Sequence, residues 1–111
     1  MVYNDYGFPG HFREINDLRK SGKLDEAEAL ARQDVSEVND KWAWNAFFWV
    51  MRAKCMNAFR ANEQDKAKAY YEEASEALEH MEDDDVASQN FDRLHTMLMP
   101  HYDEVEKAEQ L

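Results

Sequence analysis

Three histidine–carboxylate pairs have the spacing of one helical turn, at which the two side chains of a pair can act together on a metal ion or a proton. They are Glu76 with His80, Asp92 with His95, and His101 with Glu104. A carboxylate-bridged bundle site requires inward-facing glutamates from several helices and two Glu-x-x-His motifs, and this sequence contains no such motif. We therefore predict no metal site and interpret the three pairs as solvated surface groups.

Few other residues are candidates for catalysis. Cys55 is the single cysteine, and nothing near it in the sequence identifies its thiol as a nucleophile, so we interpret it as a small buried hydrophobic residue. The chain contains no Gly-rich phosphate-binding loop, no Gly-x-Ser-x-Gly elbow and no paired-cysteine motif. The sequence predicts a protein that is not an enzyme and that has no cofactor.

Composition and charge restrict the class of partner. The chain has 111 residues, 44% of them hydrophobic, which is enough for one folded domain with a single core. Its net charge of −11 disfavours direct contact with nucleic acid, because phosphate binding relies on Lys and Arg. The longest apolar run, Ala46 to Met51, is far shorter than the ~20 residues of a membrane span. We expect a cytoplasmic protein, without a disulfide, whose partner is another protein.

The spacing of apolar residues predicts a single all-α domain. Its predicted parts are an N-terminal arm (1–10), a first helix pair (11–38), a second helix pair (40–82) and C-terminal helices (85–111). Ser21-Gly22 is expected to end the first helix, and Pro100 is expected to separate two short C-terminal helices. No segment shows the period-two alternation of a strand, so no sheet is expected.

The third predicted helix, from about Asp40 to Arg60, is apolar on two opposite faces. One face carries Trp42 and Trp49, and the other carries Trp44. Because both faces need a neighbour, this helix is predicted to lie at the centre of the domain. We interpret the tryptophans mainly as core residues, although tryptophan is also enriched at interfaces, and we expect Trp44 to be the exposed one.

A short motif occurs twice in the chain. Gly22-Lys-Leu-Asp-Glu-Ala27 aligns with Asn62-Glu-Gln-Asp-Lys-Ala67, at an offset of 40 residues. A helix, a tight turn and a second helix are predicted in both copies. The run Ala67-Lys-Ala-Tyr-Tyr-Glu-Glu-Ala74 then places small residues seven apart around an aromatic pair, and it resembles the second helix of a tetratricopeptide repeat.

The resemblance to the tetratricopeptide family covers residues 11–82. It implies a tetratricopeptide-like α-solenoid of about two antiparallel helix pairs, followed by C-terminal capping helices. The sequence departs from the family pattern at Asn62, which replaces the turn glycine, and at Asp34, where a small residue belongs. The stretch from Glu14 to Ala27 is similar, more weakly, to the helical-repeat regions of some bacterial phage-conflict proteins.

The resemblance also implies where a partner binds. Members of this family are scaffolds whose concave groove, lined by the first helix of each pair, holds a peptide or a partner helix. Carried over residue by residue, the groove has a basic and aromatic lining: Phe12, Asn16, Arg19, Lys20, Trp49, Arg52, Met56, Phe59 and Arg60. Such a lining suits an acidic or C-terminal peptide, with the planar fork of Arg52 or Arg19 binding a carboxylate. The expected function is that of a non-catalytic scaffold or adaptor.

A second hypothesis concerns the acidic face of the fourth helix. Carboxylates spaced along a helix imitate phosphates, and they could block the basic cleft of a nucleic-acid-binding protein, as small phage-encoded inhibitors can do. The residues involved would be Glu72, Glu73, Glu76, Glu79 and Asp83. The simpler interpretation is a solvated face that keeps a small protein soluble. The sequence leaves both open, together with a homodimer formed through exposed aromatic side chains.

Overall fold

The structure, a computed structural model, describes residues 10–82 and 84–110, and for residues 101–110 it describes the backbone alone. It contains five helices: α1 (Phe12–Lys20), α2 (Leu24–Glu37), α3 (Lys41–Arg60), α4 (Gln64–Glu79) and α5 (Asp85–Gln110). None of the described residues is in a strand, which confirms the predicted all-α class. The first nine residues of the predicted arm, Asp83 and Leu111 lie outside the described residues.

The turns between α1 and α2 and between α3 and α4 have the same backbone geometry. Gly22 and Asn62 occupy equivalent positions with φ of 81° and 58°, in the left-handed region that glycine and asparagine adopt most readily. This explains why Asn62 can replace a turn glycine. The N–H group after each of these residues donates to a carbonyl five residues earlier, and the two N···O distances are both 2.9 Å: Lys23 to Leu18, and Glu63 to Ala58.

Helix α3 is the centre of the domain, as predicted, since it contacts each of the other four helices. Its largest interface is with α4. The side chains of Phe48, Val50 and Met51 are completely buried in this core. Helices α2 and α4 contribute mostly short side chains, which allow close approach of their backbones to α3: Ala27, Ala31, Ala67, Ala74 and Ala77.

Helix α5 differs from the sequence prediction. It continues through Pro100 as one helix, where we expected two short helices. A proline removes one main-chain hydrogen bond and crowds the preceding turn, at about 3 kcal/mol in a helix interior, but it can kink a helix without ending it. Apolar residues recur at helical spacing beyond it (Tyr102, Val105, Ala108), and this pattern extends α5 rather than defining a separate helix.

Trp42 is the exposed tryptophan, so the prediction that Trp44 would be exposed was wrong. Trp42 is 37% exposed, whereas Trp44 is half-buried. The indole of Trp44 stacks on His80, with ring centroids 4.1 Å apart and 14° between the planes. Its Nε1 also donates to Asn39 Oδ1 at 2.7 Å. His80 is distant in the sequence, so the helical pattern of α3 could not reveal that its ring packs on Trp44 and shields it from solvent.

Candidate functional site

The candidate site is built from residues of three helices, α1, α3 and α5. Helix α1 contacts α3, and α3 contacts α5, while α2 and α4 also pack against α3. The residues predicted to line the groove lie on α1 and α3, and α5 brings Arg93 near Arg52.

Trp49 lies between the arginines of α1 and α3. The guanidinium carbon of Arg19 is 5.9 Å from the centroid of the Trp49 ring, and that of Arg52 is 5.8 Å from it. Both distances fall within the range of cation–π attraction. The buried ring of Phe48 meets Trp49 edge-on, at 5.1 Å and 79°, and fixes the indole against the core. Core packing thus positions both guanidinium groups.

The positive charges at this place repel one another. Burial and the nearby charge of Arg52 lower the pKa of Arg19 below the ordinary value for arginine. Burial, and then the charges of Arg93 and Arg60, lower the pKa of Arg52. None of the four arginines forms an ion pair with a carboxylate among the described residues. We call this group, Arg19, Arg52, Arg60 and Arg93, the arginine cluster.

Two hydrogen-bond donors of the arginine cluster have no acceptor. Arg19 Nε and Arg52 Nε are buried without a partner among the described residues, although Arg19 Nη2 donates to Asn16 Oδ1 at 3.3 Å. A buried polar group without a partner destabilises a fold by about 1–3 kcal/mol, and it is rare in folded proteins. Like charges without counter-charges, and donors without acceptors, are together the chemistry of an anion-binding site.

The other predicted groove residues divide into two groups. Phe12 contacts Trp42 edge-on, at 5.2 Å and 69°, near the N-terminal end of α3 and away from Trp49 along that helix. Met56 and Phe59 are partly buried against a second hydrophobic cluster shared by α3, α4 and α5. Lys20 is exposed at the end of α1. The structure thus brings Arg19, Trp49 and Arg52 of the predicted groove together and leaves Phe12 near the other end of α3.

Arg93 is the residue that the sequence analysis missed. It lies on α5, which we had treated only as a capping helix. Its charge lowers the pKa of Arg52, so α5 brings a further positive charge near the arginines of α1 and α3. Treating α5 as the first helix of a further pair would have placed its polar residues on the groove side.

The opposite side of α3 carries a network of ion pairs. Arg32 Nη2 lies 2.7 Å from Glu28 Oε2 and 2.8 Å from Glu73 Oε2. Lys54 Nζ lies 2.7 Å from Asp25 Oδ1 and also pairs with Glu28. We call these five residues the ion-pair network. It joins α2, α3 and α4, and it gives each of its two cations two carboxylate partners.

The pKa shifts in the ion-pair network have the opposite character to those of the arginine cluster. Partial burial alone would raise the pKa of Glu28, but hydrogen bonds and charges from Lys54 and Arg32 outweigh it and lower the pKa. Burial would lower the pKa of Lys54, but its hydrogen bonds to Asp25 and Glu28 raise it. Hydrogen bonding to Glu73 raises the pKa of Arg32. The ion-pair network therefore stabilises the charged forms of Glu28, Lys54 and Arg32.

The predicted acidic surface lies beside this network. Glu72, Glu73 and Glu76 line an open depression of about 580 Å³ on α4, together with Arg32. Glu73 forms an ion pair with Arg32, whereas Glu76 and Glu79 are exposed. Asp83 lies outside the described residues. The acidic surface is therefore only partly available to a partner.

A buried contact between α1 and α2 was not foreseen. Asp34 is 2% exposed and accepts a hydrogen bond from His11 N at 2.6 Å, and His11 Nδ1 lies 2.9 Å from Asp34 Oδ1. A Cβ at Gly10 would lie 2.7 Å from Asp34 Oδ2, and Gly10 has φ of +80°, so only glycine fits there. This contact explains why Asp34 occupies a position where a small residue was expected.

The candidate catalytic residues are engaged in packing. Burial raises the pKa of the Cys55 thiol to about 12, and Cys55 Sγ donates to Ala67 O at 3.2 Å, so the thiol stays protonated. The Tyr71 hydroxyl and His95 Nδ1 share a hydrogen bond of 2.6 Å. Among the side chains that the structure describes, those of residues 10–82 and 84–100, no three of His, Cys, Asp or Glu are grouped to hold a metal ion. None of the helices described combines the length and apolar character needed to cross a membrane.

Comparison with protein-family models, with curated protein sequences and with solved structures found no match for this chain. The fold and the site define its class as an all-α protein of helices packed around α3, with the ion-pair network on one side of α3 and, on the other, a cluster of arginines that have no carboxylate partner in the described part of the chain.

Proposed function

We propose that this chain is a non-catalytic protein–protein interaction module of tetratricopeptide-like architecture, which binds an acidic peptide or partner helix on the side formed by α1, α3 and α5. The two helix–turn–helix segments, related by an offset of 40 residues and by matching turn hydrogen bonds, support this architecture. A module of this kind presents the first helix of each pair to its partner. The arginine cluster lies on those helices.

The observation that carries the proposal is the unpaired state of the arginine cluster. The chain has 24 acidic and 13 basic residues, so carboxylates are in excess and basic side chains have many candidate partners. Four arginines nevertheless lie without a carboxylate partner among the described residues, and two of them, Arg19 and Arg52, lie against the ring of Trp49. A partner that supplies carboxylates would satisfy the donors and remove the mutual repulsion. Arginine is suited to this because its planar fork binds a carboxylate through two hydrogen bonds.

Apolar groups on the same side would add contact area. Met56 and Phe59 are partly exposed on α3 beyond Arg52, and Trp42 and Phe12 form an edge contact at its other end. An acidic segment bound at the cluster could therefore place apolar side chains at both ends. Such a combination of a charged centre and apolar flanks would restrict binding to particular acidic sequences.

The test is capture of partners from lysate of the source cells, with quantitative mass spectrometry of the bound proteins. A variant with Arg19→Glu and Arg52→Glu should lose the captured partner by at least about tenfold for each arginine. A matched variant, Lys23→Glu with Lys66→Glu, changes the net charge equally at exposed sites outside the cluster and should retain it. Circular dichroism of each variant would exclude loss of folding as the cause.

The alternative function, an acidic inhibitor of a nucleic-acid-binding protein, is tested in the same experiment. Its variant reverses Glu72, Glu76 and Glu79, which leaves the bond between Glu73 and Arg32 in place. Loss of a nucleic-acid-binding protein with this variant alone would support the inhibitor and reject the groove. Retention of every partner by both charge-reversed variants would reject both functions.

A further inference from the structure

We infer that the arginine cluster binds a phosphorylated side chain of the partner more tightly than it binds a carboxylate. This inference rests on the proposed function, because it names the group that the interaction module recognises. Its basis is the number of unsatisfied charges and donors that the cluster holds in one place.

The count of charges favours a dianion. Arg19 and Arg52 both lie against the ring of Trp49, and the charges of Arg93 and Arg60 also act on Arg52. A single carboxylate carries one negative charge and two acceptor oxygens. A phosphorylated serine or threonine carries nearly two negative charges at neutral pH and three acceptor oxygens. The phosphate group is therefore the better match for several guanidinium groups together.

The count of donors leads to the same ligand. Each guanidinium has five N–H groups, and Arg19 uses one of them on Asn16. The Nε groups of both Arg19 and Arg52 are buried without an acceptor among the described residues. A small turn of either side chain, while it stays in contact with Trp49, would direct an Nε–Nη edge at the ligand. Two such edges together offer enough N–H groups for all three oxygens of a phosphate, whereas a carboxylate has only two oxygens to accept them.

A phosphorylated protein fits better than a nucleic acid. The net charge of −11 opposes the approach of a long polyanion, but it opposes a single phosphate on a peptide far less. Trp49 already contacts Phe48 and two guanidinium groups, so its ring is poorly placed to stack on a base. Single-strand binding sites, in contrast, combine a basic groove with free aromatic faces.

The experiment follows the Arg Nε–Hε resonances of the whole chain by NMR during titration with four probes at constant ionic strength. The probes are the terminally blocked pentapeptide Ala-Leu-pSer-Leu-Ala, the same peptide with glutamate in place of phosphoserine, inorganic phosphate, and a single-stranded oligonucleotide. The phosphopeptide should shift the Nε–Hε signals of Arg19 and Arg52. It should also bind about tenfold more tightly than the glutamate peptide, the difference expected from an additional charge-assisted hydrogen bond.

Single-residue variants test which side chains bind the phosphopeptide. Arg93→Gln and Arg52→Gln should each weaken binding of the phosphopeptide by about tenfold, whereas the matched variant Lys23→Gln, at an exposed site, should leave it unchanged. The phosphopeptide should also raise the melting temperature of the native chain, since a ligand that binds only the folded state stabilises it.

Four results would overturn the inference. They are equal affinity for the glutamate peptide, affinity for inorganic phosphate equal to that for the phosphopeptide, tighter binding of the oligonucleotide, and absence of any shift with the phosphopeptide. The proposed function is judged separately, because capture of a partner that depends on Arg19 and Arg52 does not require phosphate.

Discussion

Two sides of the same helix hold their positive charges in different ways. Arg52 and Lys54 are two residues apart on α3, which places them about 200° apart around the helix axis. Lys54 lies in the ion-pair network, with Asp25 and Glu28 as partners. Arg52 lies in the arginine cluster, with other arginines as neighbours and an unsatisfied Nε.

The difference teaches what each side contributes to the molecule. The ion-pair network joins α2, α3 and α4 through partly buried bonds to charged groups, and it therefore contributes to stability. The arginine cluster opposes folding through repulsion and desolvation. Charge substitutions should consequently have opposite effects on stability at the two sides.

The largest expected effect is at Glu28, which accepts from both cations of the ion-pair network. Glu28→Gln should lower the free energy of unfolding by about 1–3 kcal/mol at pH 7, because both cations lose a charged acceptor. Urea denaturation measures this change. An effect at pH 7 below the scatter of repeated measurements would show that the network does not support the fold.

The pH dependence of the Glu28 effect has a definite sign. Its pKa in the folded state is lower than its ordinary value of 4.5, so its contribution is complete above about pH 4.5 and is lost as the pH falls through the lowered pKa. The stability difference between the wild-type chain and Glu28→Gln should therefore shrink from pH 7 towards pH 3. A difference that stayed constant over that interval would exclude an electrostatic origin.

The next largest effect is the contrast in stability between a variant in the ion-pair network and one in the arginine cluster. Arg32→Met removes a paired arginine whose side chain is 44% exposed, and it should destabilise the fold by about 1 kcal/mol. Arg52→Met removes an arginine that has no carboxylate partner, and a buried Nε with no acceptor, among the residues described, and it should stabilise the fold by about 1 kcal/mol. Thermal denaturation of both variants measures the contrast. Destabilisation of similar size in both would show that the two sides do not differ.

Salt provides the control for that pair of variants. Added sodium chloride screens repulsion among the arginines, so the gain from Arg52→Met should decrease as the salt concentration rises. A gain that is independent of salt would assign the effect to packing of the methionine side chain.

The smallest expected effect is at Lys41, whose ammonium lies 3.1 Å from Glu82 Oε2. The two side chains are 45% and 76% exposed, so solvent screens their attraction. Lys41→Gln should change the free energy of unfolding by less than about 0.5 kcal/mol. A larger loss in urea denaturation would mean that exposed ion pairs also support this fold, and the comparison would no longer separate the two sides.

Much of the fold could be predicted because it depends on local pattern. The two-faced apolar pattern of α3 identified the central helix, and Gly22 and Asn62 marked equivalent turns. Pro100 was misjudged because its local preference was weighed above the helical pattern on both sides of it. The exposure of Trp42 and Trp44 was also misjudged, because His80 covers Trp44 from another helix.

The site could be predicted in part. The resemblance to the tetratricopeptide family implied that Arg19, Trp49 and Arg52 line one groove, and the structure places these three residues together. Arg93 was missed because its helix was assigned only a capping role. The contact of His11 with Asp34 was missed because the two residues are 23 positions apart and no periodic pattern connects them.

The sequence by itself determined the all-α class, the central helix and the excess of negative charge. These properties depend on residue types and on spacings within one or two helical turns. Only the tertiary structure decided which cations have counter-charges. Arg32 and Lys54 differ from Arg19 and Arg52 in what the neighbouring helices bring near them. Because electrostatic interaction depends on distance and on burial, helix packing separates an ion pair from an unpaired charge.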